Sequence, residues 1–247
     1  MKSYKADLHT HTVLSPCGDL EMSPVNIVDR AIKKGLDIIG VTDHNSALQC
    51  PTVRKVAEQK GLFVLCGAEV TTKEEVHCLA FFEKTEQLDA FSDFIYEHLA
   101  DFLNDPDKFG YQAVVDENEM ILNQPEKLLI SATDISIENL ERKVHEMGGL
   151  FIPAHIDRIS NGIIGQLGFI PPELECDAVE LSRFTTYPNF TAEYPQYQDY
   201  SFIQSSDAHY IDDIGIVHTI FYLEEPSFEE IQKALKQEDD RKTELRS

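Results

Sequence analysis

Strand-length apolar runs alternate with capped amphipathic helices along this chain, and that rhythm predicts an α/β barrel of about seven βα units. Two further observations support the expectation. Residues of metal-ligand type stand at the ends of the apolar runs, where βα barrels build their sites. A length of 247 residues is ordinary for one such domain, so residues 1–247 are read as a single domain.

The chain opens with Lys5-Ala6-Asp7-Leu8-His9-Thr10-His11-Thr12. In a strand, residues two apart share a face, so His9 and His11 would aim both imidazoles at one point. Taken alone, the pair fits two metal ligands or two surface histidines. Ser23 caps a first helix with Pro24 at its first position; Val25, Val28, Ala31 and Ile32 form its stripe and Gly35 closes it. Residues 36–41 read as a buried strand ending in Thr42-Asp43-His44. A helix over 51–60 stops at Gly61, and a strand over 62–66 ends in Gly67-Ala68-Glu69. Residues 76–82 form a fourth strand, and 86–103 an amphipathic helix.

The rhythm breaks at 105–130. Asp105-Pro106-Asp107, Gly110, a short strand over 111–115 and polar turns read as an excursion outside the barrel core, approaching the mouth of the site. Ser136 then caps a helix to about 147, and the run over 150–153 leads into Ala154-His155. Strands over 177–181 and 202–205 end near Ser182-Arg183 and in Ser206-Asp207-Ala208-His209. A strand over 216–223 precedes a final helix, to about 236, opened by a Ser227–Glu230 capping box. The tail over 237–247 is polar and expected to fray.

A hydrophobic content of 42% and a charged content of 26% are those of a globular protein, with no apolar stretch of about 18 residues to span a membrane. The first residues run into a strand without a signal-peptide core, and five cysteines (17, 50, 66, 78 and 176) show no paired spacing, so a cytoplasmic location is expected. A formal net charge of −23 repels a phosphate backbone at long range. Duplex nucleic acid is therefore not expected as a partner, whereas a small anionic substrate held by bound cations is.

Six of the nine histidines (9, 11, 44, 77, 155 and 209) lie at or near strand ends, together with Glu69 and Asp207. His98 and His145 within helices, and His218 within a strand, read as structural. The motifs Asp7-Leu8-His9-Thr10-His11-Thr12, Gly40-Val41-Thr42-Asp43-His44, Gly67-Ala68-Glu69, Pro153-Ala154-His155 and Ser206-Asp207-Ala208-His209 resemble, in order, those of the PHP (polymerase and histidinol phosphatase) family. The resemblance covers most of the chain except about 85–145. It implies a distorted seven-stranded (β/α) barrel, TIM-like, with up to three metal ions acting on phosphoesters.

Carried over motif by motif, the resemblance places His9, His11, Glu69 and Asp207 around a first ion. Glu69 would bridge to a second, completed by His77 and His155, and a third would take Asp19, His44 and His209. Glu69, Asp207 and His209 are thereby the candidate catalytic residues. Asp19 is assigned through the following Leu20-Glu21-Met22-Ser23-Pro24; Cys17, in the same loop, reads as a plain thiol with a thiolate ligand as the alternative. His77 has a second reading as a cross-strand histidine.

Imidazole and carboxylate ligands suit two or three divalent transition-metal ions, Mn, Zn or Fe. Ions so held lower the pKa of a shared water and make hydroxide at neutral pH. Arg158 and Arg183, near the ends of the fifth and sixth strands, are candidate phosphate contacts. The expected activity is a metal-dependent phosphoesterase acting on a small phosphorylated metabolite or nucleotide. The alternatives are an amidohydrolase-type C–N hydrolase, against which the absence of a strand-end lysine counts, and a non-catalytic metal-binding PHP module.

Overall fold

The computed structural model describes residues 1–245. In chain order its elements are β1 (Lys2–Asp7), α1 (Pro24–Lys33), β2 (Ile38–Val41), α2 (Cys50–Glu58), β3 (Phe63–Thr71), β4 (His77–Phe82), α3 (Thr85–His98), α4 (Pro106–Phe109), β5 (Val114–Val115), β6 (Ile121–Asn123), α5 (Ile137–Glu146), β7 (Leu150–Pro153), α6 (Ile163–Leu167), β8 (Val179–Leu181), α7 (Tyr187–Glu193), β9 (Phe202–Gln204), β10 (Thr219–Leu223), α8 (Phe228–Lys236) and β11 (Lys242–Leu245). Among the described residues, no helix is long and apolar enough to cross a membrane.

The fold is mixed α/β. A curled seven-stranded sheet runs in the order β11-β10-β1-β2-β3-β4-β7, and β8 and β9 form a separate parallel pair. A bridge between Thr10 and Ala208 links the segments that follow β1 and β9, and Ile156 N–H donates to Glu180 O (2.9 Å) beside β7. The sheet therefore curls as a half-barrel, without one unbroken ladder, rather than as a regular seven-stranded βα barrel. Only β1, β2 and β3 pair in parallel within it; β4, β7, β10 and β11 are laid antiparallel to their neighbours. The regular βα alternation fails first between β3 and β4. Residues 72–76 are too few for a crossover, so the chain turns back in a hairpin, with Thr72 N–H on Val76 O (2.9 Å) and Glu75 at φ +60°.

Helix starts follow the side-chain chemistry. Ser23, Ser136 and Ser227 accept from the backbone N–H of Asn26, Asn139 and Glu230. Glu230 completes only half of the expected capping box: its carboxylate takes the Glu224 N–H and the Arg241 guanidinium instead. The polar tail does not fray throughout, because Lys242–Leu245 forms an antiparallel ladder with β10. Residues 246–247 of that tail lie outside the described residues.

The 105–130 excursion is more deeply tied in than a surface element. Ala113, Val114 and Val115 are buried, Ala113 N–H donates to Val13 O (3.1 Å), and the Gln49 side chain bonds both backbone groups of Val115 (2.8 Å each). Asn45 Nδ2 holds Leu129 O and Ser131 O. These contacts seat the excursion against the loops that follow β1 and β2.

The sheet separates two apolar layers. Ile39, Val41, Val64, Cys66, Ala80 and Phe82 pack toward the helices, whereas Ile38, Leu65, Leu79, Phe81, Ile152 and Ile203 face the inside of the curl. Gly40 and Gly67 share the parity of the inner set, and a Cβ at Gly40 would lie 2.1 Å from Leu8 O and 2.7 Å from Leu8 Cα. These are backbone atoms, which cannot step aside as a side chain does. Gly40→Ala is expected to cost about 3 kcal/mol in denaturant unfolding, with the slope m unchanged. A loss under about 0.5 kcal/mol would show that β1 and β2 can separate freely at this point.

Candidate metal centre

Inner-face alternation carries Glu69, the fourth residue on from Leu65, into the mouth of the curl. His77 arrives on the same face as Leu79, and Glu180 on the same face as Ala178. His9 and His11 lie just past the end of β1. They flank Thr10, whose bridge to Ala208 keeps that segment extended. His155 (φ +29°) and Asp207 (φ +50°) adopt the left-handed region, uncommon for non-glycine residues, and thereby turn back from the ends of β7 and β9.

Glu69 is fully buried among five imidazoles, and its two oxygens divide them. Oε1 lies 3.2 Å from His9 Nε2, 2.9 Å from His77 Nδ1 and 3.1 Å from His155 Nε2. Oε2 lies 3.4 Å from His11 Nε2 and 3.1 Å from His44 Nδ1. Asp207 Oδ1 stands 3.6 Å and 3.5 Å from the Nε2 atoms of His9 and His11, while its Oδ2 takes Arg158 (2.8 Å). His209 stacks on His11 with ring centroids 4.1 Å apart. Arg183 pairs with Asp213 (2.9 Å) and reaches Ser206 O (3.4 Å). The Asp19 carboxylate, by contrast, accepts from Glu21 N–H (2.8 Å) and makes no ion pair or hydrogen bond to an imidazole among the described residues.

Behind these groups stands a layer that fixes the imidazole tautomers. His9 Nδ1–H donates to Glu180 Oε2 (2.9 Å), which also takes His155 N–H (3.1 Å). Ser15 Oγ donates to Asp43 (2.7 Å), so its lone pairs accept from His11 Nδ1–H (2.9 Å) and His44 N–H (3.1 Å). Both Nδ1 atoms are thus spoken for, and the two Nε2 lone pairs face each other 3.2 Å apart. Asp7 accepts from Ser206 N–H (2.9 Å), Ser206 Oγ–H (2.6 Å) and Gly215 N–H (2.8 Å), tying β1 to the Asp207 loop. Burial pushes its carboxyl up to about 6.

Glu180, like Ser15, is a partner of this centre that reading the sequence for strand-end ligands misses. Its signal was a lone carboxylate inside an apolar strand, which cannot be buried without a partner.

The donor set fits bound cations. Glu69 Oε2 and His44 Nδ1 are buried, 3.1 Å apart, and neither has a hydrogen-bond partner. Three donor groups each lie within 4.8 Å of one another: His9, His11 and Glu69; His44, Glu69 and His77; and His11, His44 and His209. Burial and the neighbouring His209 and His44 hold His11 well below the usual imidazole range, the lone-pair form a cation requires. Burial opposes ionisation of Glu69, but His77, His9 and His44 outweigh it and keep the carboxylate charged. Glu180 behind His9 is a carboxylate–histidine pair of the kind that orients metal ligands.

A family model described as PHP domain matches residues 7–162, and one described as PHP-associated matches residues 192–239. YqxK, an uncharacterised protein of Bacillus subtilis, is 37% identical over 109 residues, which cover 42% of this chain and 28% of YqxK. Endonuclease Q from Pyrococcus furiosus superposes with a TM-score of 0.77 at 20% identity, covering 98% of this chain and 58% of that chain. A two-domain protein of Bacteroides vulgatus containing a predicted PHP-like metal-dependent phosphoesterase superposes with a TM-score of 0.57 at 19% identity, over 99% of this chain and 65% of that chain. The chain therefore spans under two thirds of the length of each of these.

One expectation is corrected by these likenesses. A structure of endonuclease Q with a 27-mer duplex substrate, an abasic lesion at its active site, superposes with a TM-score of 0.76 at 19% identity, covering 98% of this chain and 58% of that chain. Endonuclease Q takes a duplex on a fold similar to this one, so a net charge of −23 is no ground for excluding duplex nucleic acid, and the expectation of a small phosphorylated partner with duplex excluded is not upheld. The physical reason is range. Charges spread over the surface are screened beyond about 8 Å at physiological ionic strength, whereas cations in the mouth would set the local field. The fold is that of the PHP-like metal-dependent phosphoesterases and endonucleases, and with its family model matching well over half of its length, the chain belongs to the PHP family.

Proposed function

We propose that this protein is a metal-dependent phosphoesterase that hydrolyses phosphodiester bonds of nucleic-acid strands. The observation that carries the reading is the Glu69 carboxylate set among five imidazoles next to the Arg158–Asp207 pair, on a fold shared over nearly the whole chain with endonuclease Q. His9, His11, Glu69 and Asp207 would hold a first divalent ion, Mn, Zn or Fe. Glu69, His77 and His155 would hold a second, and His44 and His209 would contribute to a third. Bound there, the ions supply an activated water and neutralise charge that builds at phosphorus.

The chain's own residues do the rest. Glu180 and Ser15 hold His9 and His11 in the tautomers that present Nε2. Arg158, 39% exposed and paired with Asp207 Oδ2, would offer its planar fork to a phosphate oxygen, and Arg183 flanks the same loop through Ser206 O. The free cysteines fit a reducing, cytoplasmic setting.

The test uses end-labelled single strands, duplexes and abasic duplexes, with Mn, Zn and Fe supplied separately. Strand cleavage that requires added metal is expected. A metal-loaded protein that cleaves none of them would overturn the reading. Under the same conditions Arg158→Ala or Arg183→Ala should keep its metals yet lose about tenfold in kcat/KM, some 1.4 kcal/mol, with only partial rescue by Lys. Unchanged kinetics in both would remove arginine from phosphate binding.

A further inference from the structure

The loops that follow β7, β8 and β9 are locked to one another beside the metal centre. Asp157, next to Arg158, accepts from Ser182 N–H (2.7 Å) and Ser182 Oγ–H (2.5 Å). Ser182 Oγ in turn accepts from Phe184 N–H (3.2 Å). The buried Gln204 side chain donates to Ser182 O (2.7 Å) and Thr185 O (2.9 Å), so both ends of the turn that carries Phe184 are held. Arg183 closes the set through Asp213 (2.9 Å) and through the carbonyl of Ser206 (3.4 Å), the residue before Asp207. The same guanidinium lies over the Phe184 ring, 5.2 Å from its centroid. Phe184 is nevertheless 76% exposed, so a large aromatic ring is fixed in position with most of its surface in water. Single exposed hydrophobics are common and mean little by themselves. Here three of them directly follow residues of the site: Ile159 after Arg158, Phe184 after Arg183 and Tyr210 after His209.

We propose that Phe184 is a stacking platform for one nucleobase of the strand whose phosphate meets the metal centre, with Arg183 backing the ring on its other face. The inference rests on the phosphodiesterase reading above and gives it a base-binding subsite. One guanidinium separates the ring from the Ser206 carbonyl, which brings the ring within a nucleotide's reach of the Asp207 loop. A ring paired with a cation holds a base without reading its sequence, since every base has a π-face. A base stacked there has left its own helix, so the subsite favours unpaired nucleotides. The charge of the chain points to the same occupant. At −23 the protein has no broad basic surface to grip a phosphate backbone, so hold on the strand falls on stacking near the site. The same charge opposes a second copy of the chain on this ring.

The test walks a single abasic position through an end-labelled single strand, one nucleotide at a time around the mapped scission point. For the parent, kcat/KM should fall by about tenfold when the stacked base is the missing one, and much less at other positions. Phe184→Ala should show the same fall on the intact strand, mostly in KM, and no further fall when that base is also missing. Phe184→Tyr should restore the parent's behaviour, and all three proteins should hold the same number of ions. Independent losses from the two changes, or Phe184→Ala cleaving as the parent does, would overturn the platform and leave the phosphodiesterase reading standing. So would a change of oligomeric state in Phe184→Ala, read by light scattering, with cleavage unaltered, because a second copy would then cover the ring. A metal-loaded parent that cleaves no strand fails the phosphodiesterase reading itself, and the platform with it. Because the ring is mostly in water, Phe184→Ala is expected to fold, and Phe184→Tyr serves as a second variant.

Discussion

Glu69→Gln will cost the protein two metal ions at once and at least about a thousandfold in turnover, roughly 4 kcal/mol of transition-state stabilisation. The reason lies in how its oxygens are shared. Oε1 faces His9, His77 and His155, and Oε2 faces His11 and His44, so one carboxylate stands between two sets of donors. An amide of the same size keeps one acceptor oxygen but presents N–H groups to the other set, and it carries no charge to offset two cations. Elemental analysis of the purified variant gives the ion count, and strand cleavage gives the rate. Loss of a single ion would make Glu69 a terminal ligand, and an unchanged count would remove it from the centre.

Stripping the metals from the parent protein should lower Tm by roughly 20 °C. Two ions, each held at about a thousandfold excess over Kd, contribute about 8 kcal/mol by mass action. In a chain of this size each kcal/mol moves Tm by about 2–4 °C. Without cations, the buried Nε2 atoms of His9 and His11 face each other 3.2 Å apart, and Glu69 Oε2 and His44 Nδ1, 3.1 Å apart, meet no hydrogen-bond partner. Calorimetry before chelation, after chelation and after reloading reads this directly. A Tm indifferent to chelation, in protein shown to have lost its ions, would mean that they bind away from the buried donors.

These residues were legible because their chemistry contradicts their surroundings. His9, His44, Glu69, His155 and Asp207 each end an apolar run, where a core-forming residue would be expected. Glu180 was harder to see because it lies within its strand, between Val179 and Leu181, and its partner His9 is remote in sequence. The apolar run of β3 and the Glu69 that follows it were legible, but the reversal into β4 was not, since it depends on a tight turn with Glu75 at positive φ. β11 escaped notice because Lys242-Thr243-Glu244-Leu245 has no apolar stripe. Its ladder to β10 and the Thr243 hydroxyl on Phe202 O (3.0 Å) hold it instead. The engagement of the Asp19 carboxylate on Glu21 N–H was beyond reach for a similar reason: a loop has no periodicity to fix where its side chains go.

The Asp7–Ser206 hydrogen bonds have a consequence for how the protein is made. They join residues 199 apart in sequence, beside the bridge from Thr10 to Ala208. A ribosome adding about 5–20 residues per second exposes His9, His11, His44, Glu69 and His77 early, and Asp207 and His209 only roughly 10–40 s after the first histidines. Throughout that interval the nascent chain would present these imidazoles without Asp207 and His209. The segment that carries Asp207 and His209 is the last of the donor-bearing segments to be made, so if the proposed centre binds metal, its full set of donors would come together only after most of the sheet has been synthesised.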